Sequence, residues 1–141
     1  MSGSTSGNKA TAHKFMEQII GTGDWSAADD VMSENATMNH PSSPEPVRGR
    51  DAIMGFLTMF RAGFPDLNMT VNHAVEGEDH VVVRWTMTGT HTEDLFGIPP
   101  TNKPVKVTGI SMFRFENGVI VEDTVEEDAA GMLRQIGLIP G

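Results

Sequence analysis

The chain has 141 residues, with 10 Lys and Arg against 19 Asp and Glu for a net charge of −9, and no cysteine. That length holds one domain with a sizeable core, and the acidic balance argues against nucleic acid as a partner. The missing thiols exclude a disulfide framework, a thiolate zinc site and a cysteine nucleophile, and the absence of tyrosine removes one phenolic acid from the catalytic inventory.

Residues 1–9 are small and polar and read as a disordered tail ahead of a single domain over 10–141. No apolar run approaches the roughly 20 residues of a membrane span, and the opening MSGSTSGNK has no apolar signal segment. The reading is therefore a cytoplasmic protein with no membrane partner. From Ala10, apolar residues recur at Ala12, Phe15, Met16, Ile19 and Ile20, the one-face spacing of an amphipathic helix that Gly21-Thr22-Gly23 ends. Asp24 is placed to cap a shorter helix through about Ser33, burying Trp25, Ala28, Val31 and Met32. Asn39 to Pro46 holds three prolines and cannot be helical, so it reads as an ordered loop or an edge. A third helix follows from about Arg50 to Ala62, with Ile53, Phe56, Leu57 and Phe60 on one face.

The remainder predicts four strands and a last helix. Leu67 to Val75 and Val81 to His91 are separated by a Glu76–Asp79 turn, and the second alternates cleanly, with Val81, Val83, Trp85 and Met87 on one side. Two further strands meet at Glu116-Asn117-Gly118. A two-residue Asn-Gly loop would set Phe113 opposite Glu122 and Phe115 opposite Ile120. A three-residue loop closed by Gly118 as a bulge pairs Phe115 with Val119 and Phe113 with Val121, and it is preferred here because it separates charge from apolar surface. In that register Asp123 lies opposite Ser111 and aims a carboxylate into an apolar side, while Lys106, Arg114 and Glu122 fall on the other face. Asp128 reads as the N-cap of a helix from Ala129 to Ile136. The expected architecture is α+β, a curved antiparallel sheet with helices packed on its concave face around a pocket.

Arg84 to Gly137, with its Gly-Thr-His, Gly-Ile-Pro-Pro-Thr and Gly-Met-Leu-Arg-Gln-Ile-Gly pieces, together with Phe64-Pro65-Asp66-Leu67 and Asn39-His40, resembles the SnoaL-like polyketide cyclases of the NTF2-like, ketosteroid-isomerase-like superfamily. The resemblance implies an NTF2-like cone and a cofactor-free enzyme that closes a ring by intramolecular aldol condensation of a polyketide ester. In the family the stretch matching Glu122 to Asp128 commonly reads Glu-His-Trp-Asp-x-x-Asp, its first Asp after Trp being the proposed acid/base. Here Asp123, Thr124 and Val125 stand at the His, Trp and Asp positions.

Two residues are candidates for the missing proton carrier. Asp123 lies two residues earlier on the same expected face, and His40, in Asn39-His40-Pro41, matches the place where ketosteroid isomerases carry a carboxylate before proline. A histidine suits proton transfer near neutrality. The blander readings are a solvated Asp123 at a strand end and a His40 that only ties its loop. Asn39 and Ser111 are candidate donors to a developing enolate. Trp85, Phe56, Met59, Phe60 and Val125 are expected to line the wall for an apolar ligand or else simply to fill the core. His91 matches a family position beside the Gly97-Ile98-Pro99-Pro100 loop. No histidine spacing suggests a metal site, and no cofactor is expected. Glu126-Glu127-Asp128 reads as solvated acidic surface. Ile110, Met112 and Ile120 on the reverse face of the hairpin predict a homodimer through the sheet. The functional classes left open are a small-molecule enzyme (cyclase, isomerase, dehydratase or epoxide hydrolase) and a non-catalytic binder of an apolar ligand.

Overall fold

The computed structural model describes residues 2–140. Its frame is one six-stranded sheet in the order β2-β1-β6-β5-β4-β3. The strands are β1 (Met32–Asn39), β2 (Val47–Arg48), β3 (Asn68–Gly77), β4 (His80–Thr90), β5 (Pro104–Glu116) and β6 (Val119–Glu127). Four pairings are antiparallel, and β1 runs parallel to β6.

The helices cover one face. Helix α1 (Ser2–His13) starts ahead of the expected boundary at Ala10, covers most of the stretch read as a tail, and continues as a π-helical segment, Lys14–Ile20. Ala12, Phe15, Met16, Ile19 and Ile20 are buried there, as the periodicity requires. Arg61 closes the segment by donating from Nε to the Ile20 carbonyl and from Nη2 to the Gly21 carbonyl, both at 3.1 Å. These are carbonyls that a helix end leaves without intrahelical donors. A 3₁₀ turn (Trp25–Ala27), capped by Asp24, leads into the single turn α2 (Ala28–Val31). Helix α3 spans Arg50–Ala62 and buries Ile53 and Leu57, and α4 spans Ala129–Gln135 with Asp128 Oδ1 accepting from the Gly131 N–H at 2.9 Å.

Strands β1 and β2 depart from the sequence reading, which stops at four strands and gives Met32 to a helix. Ala36, Met38 and His40 alternate inward along β1 and just past it, but Ser33-Glu34-Asn35 breaks the apolar pattern that would announce a strand. What makes β1 a strand is non-local: the edge of β6 supplies its partner.

The hairpin of β5 and β6 corrects the expected register. Its loop has two residues, Asn117 and Gly118, with φ of 53° and 80°, the left-handed pair of a type I′ turn. Glu116 pairs with Val119 and Phe115 with Ile120. The ladder then slips by one residue at Val121, so Arg114 faces Glu122, Phe113 faces Asp123 and Ser111 faces Val125. The extra residue sits inside β6, as a bulge, rather than in the loop. Ile120, expected on the reverse face, is fully buried, while Val119 and Val121 are only partly so. Past the bulge Asp123 turns inward, opposite a phenylalanine instead of Ser111.

Candidate functional site

The inner face of the sheet and the helices above it enclose a cavity of about 40 Å³ for a water-sized sphere, whose walls are almost wholly apolar. Met16, Met38, Met69 and Met87 supply four of its linings, and Leu57, Phe60 and Trp85 add bulk. The polar groups on it are Trp85 Nε1, Ser111, His40, Asp123 and Glu127.

Strand alternation and the Val121 bulge deliver the carboxyl groups. Beyond the bulge, Asp123, Val125 and Glu127 occupy successive inward positions of β6. Asp123 is 3% exposed, and its Oδ1 has no hydrogen-bond partner. Burial among apolar neighbours disfavours its charged form and pushes its pKa up to about 8. Its parallel neighbour on β1 is Met38, and His40 is the next inward residue along that chain.

His40 is held at both nitrogens. The Ser42 backbone N–H donates to Nδ1 at 3.0 Å, which leaves the ring proton on Nε2, and Nε2 donates to Glu127 Oε1 at 3.1 Å. Both side chains of that pair are nearly inaccessible, 6% and 3% exposed. Phe56 packs on the imidazole with centroids 4.8 Å apart, and Phe96, at a loop tip, packs on Phe56 at 5.4 Å. Glu127 Oε2 is buried without a partner.

On the neighbouring strands of the same sheet face, Trp85 Nε1 donates to Ser111 Oγ at 3.0 Å. The indole fits because its cross-strand partner is Gly109, where a Cβ would lie 2.2 Å from the ring.

Asp123, His40, Ser111, Trp85, Phe60 and Val125 thus line one cavity. Phe56 reaches it only through His40. The remaining candidates lie elsewhere. Asn39 points to the other side of β1 and lines surface hollows with Pro46. Met59 is 56% exposed on the outside of α3. His91 is fully buried but away from the cavity lining, with Nδ1 accepting from the Thr101 backbone N–H at 3.3 Å and 3.0 Å from Thr101 Oγ1. It organises the loop before β5. Glu127 is the residue that the sequence reading missed by assigning it to solvated acidic surface. The available signal was the period of two from Asp123 through Val125, which runs one step further and separates Glu127 from the exposed Glu126. Among the described residues no cluster of three or more His, Asp or Glu could hold a metal ion.

A curved sheet closed by helices over a buried pocket with ionisable groups is the NTF2-like architecture. The family model for the SnoaL-like polyketide cyclases matches residues 10–136, and the chain belongs to that family. Among solved structures, IdmH from Streptomyces antibioticus, a candidate polyketide cyclase, is 28% identical with a TM-score of 0.79, over 92% of this chain and 98% of that one. A candidate SnoaL-like polyketide cyclase from Jannaschia sp. CCS1 is 22% identical with a TM-score of 0.85, over 96% and 94%. AclR from Streptomyces galilaeus, a candidate hydroxylase, is 23% identical with a TM-score of 0.83, over 96% and 88%, so these last two likenesses speak for the fold alone. No curated protein sequence matches the chain.

Proposed function

We propose that the protein is a cofactor-independent acid/base enzyme acting on an apolar carbonyl compound, with the intramolecular aldol closure of a polyketide ester as the reaction of reference. The observation that carries this reading is the Asp123 carboxyl, partnerless at Oδ1 on an apolar cavity, where burial pushes its pKa up to about 8 and so favours the neutral acid. In that state it can donate a hydrogen bond to a carbonyl oxygen and its proton to the alkoxide that forms there. His40 shares the cavity and takes part in proton handling through its Nε2–H. At the position of the family aspartate, Val125 gives the wall an isopropyl group, but carboxyls two residues to either side, Asp123 and Glu127, face the same space. Acid/base capacity is thereby displaced along the strand, not lost.

The cavity has room for one to a few waters, far less than the ~300 Å³ or more of a typical ligand pocket. Ligand entry therefore requires Phe60 and the flexible methionines to change rotamer. The proposed active unit is a homodimer through the outer sheet face, supported by Ile110 and Met112, 48% and 42% exposed on β5.

Turnover of anthraquinone-type esters and simple enone steroids by the wild type, Asp123→Asn and His40→Ala is the test. Each variant is expected to lose roughly 100-fold or more in kcat. Unchanged turnover in both would remove these residues from the chemistry, and binding of such compounds without turnover by the wild type would favour a non-catalytic ligand carrier, the role that Val125 makes the second reading.

A further inference from the structure

Glu127 deepens that reading. Its side chain is 3% exposed and lines the cavity, with one oxygen tied to the His40 imidazole and the other buried with no partner. A buried polar atom left open in a native fold calls for an explanation. Asp123 and Glu127 have opposite surroundings on one wall. Glu127 Oε1 accepts a hydrogen bond from a ring N–H, whereas Asp123 Oδ1 is buried with no hydrogen-bond partner, and that burial favours the neutral acid. A carboxyl held by an imidazole with one oxygen open, and a second carboxyl with no partner on the same cavity, are placed to act as a base and an acid. The titratable groups on the cavity are these two and His40, and no Lys or Arg lines it.

We propose that Glu127 is the general base of the site, positioned by His40, and that Asp123 is the matching acid, so that the pair enolises a neutral ketone or ester seated between them. The inference rests on the acid/base reading above. Glu127 Oε2 takes the proton from the carbon next to the carbonyl, the C–H electron pair becomes the enol C=C bond, and the carbonyl oxygen takes the proton of Asp123. Glu127 then holds a proton and Asp123 has lost one. When the enol carbon forms its new C–C bond to a second carbonyl of the same molecule, the enol O–H proton returns to Asp123 and the new alkoxide takes the proton of Glu127, restoring both groups. No electron acceptor or co-reactant is needed. Anionic substrates are disfavoured, because the cavity offers carboxyl groups and no cation.

The assignment is tested with 1-tetralone, a neutral bicyclic ketone, by following exchange of its α-protons for deuterium with NMR. The wild type is expected to accelerate exchange, and Glu127→Gln to lose about 100-fold or more while still binding the ketone. His40→Ala should fall as well and recover with added imidazole, a rescue that a purely structural role would not give. Infrared difference spectra at neutral pH provide a readout independent of turnover: the band of a protonated buried carboxyl should vanish in Asp123→Asn and persist in Glu127→Gln. A band lost in Glu127→Gln instead, or exchange in that variant within threefold of wild type, overturns the assignment and leaves the enzymatic reading standing. Wild-type protein that binds 1-tetralone and exchanges none of its protons, with the infrared split intact, overturns the base role together with that reading.

Discussion

At the scale of one side chain, the chemistry of the site follows from what surrounds each carboxyl. Asp66, exposed and accepting from the Thr90 N–H at 2.7 Å and its hydroxyl at 2.8 Å, has its pKa lowered by those bonds. Asp123, with no donor at Oδ1 and no exposed surface to speak of, is driven the other way, to about 8. The two shifts have opposite consequences for stability. The folded chain holds the Asp123 proton more tightly than the unfolded chain does, so its contribution to stability falls as pH rises from the unfolded value, about 3.9, to about 8. The slope reaches at most about 1.4 kcal/mol per pH unit. Asp66 acts below that window, where its stabilisation is lost as pH falls through its lowered pKa. Urea unfolding between pH 5 and pH 8 is therefore expected to show a decline in the wild type that Asp123→Asn flattens. Parallel profiles for the two proteins would rule out the burial-driven shift.

At the scale of elements, the β5–β6 hairpin decides which residues reach the cavity. Its type I′ turn requires positive φ at Asn117 and Gly118, and Gly118 adopts 80° without a side-chain penalty. Gly118→Ala should cost about 1 kcal/mol or more by equilibrium unfolding, and a variant as stable as wild type would mean that the turn has another form. The inward direction of Asp123 was legible because the sequence forces a choice between charge and apolar surface on each face. Its cause was not legible, since a bulge at Val121 and one in the loop satisfy nearly the same pattern and differ only in whether Ile120 or Val119 and Val121 go inside. The strand through Met38 was obscured for a different reason. Its polar first half has no strand signal of its own, and pairing with β6 supplies what local preference lacks. Helix α3, β4 and the Asp128 cap were readable because strict periodicity or a single capping carboxylate specifies each locally. Glu127 was misread for want of one more step of alternation, and Asn39 and Met59 because neighbourhood in sequence does not fix the face on which a side chain emerges.

For the whole molecule, the sheet has one face committed to the cavity and one that still shows Ile110 and Met112, while Ile120 has joined the core. An antiparallel sheet covered on a single side usually turns a more polar face to water. If the exposed outer face carries the proposed homodimer, Ile110→Asp is expected to sediment as monomer without loss of fold, and an unchanged sedimentation coefficient would place any self-association elsewhere. Inside, an acidic chain of net charge −9 keeps an apolar hollow in which burial pushes the pKa of one carboxyl up to about 8 and another is tethered to an imidazole. That asymmetry underlies the proposed role in proton transfer. It is tested most directly by ¹³C NMR titration of the aspartate carboxyl carbons in wild type and Asp123→Asn: one resonance, absent from the variant, should titrate near about 8, whereas an Asp123 signal titrating near about 4 with the ordinary aspartates would contradict the account.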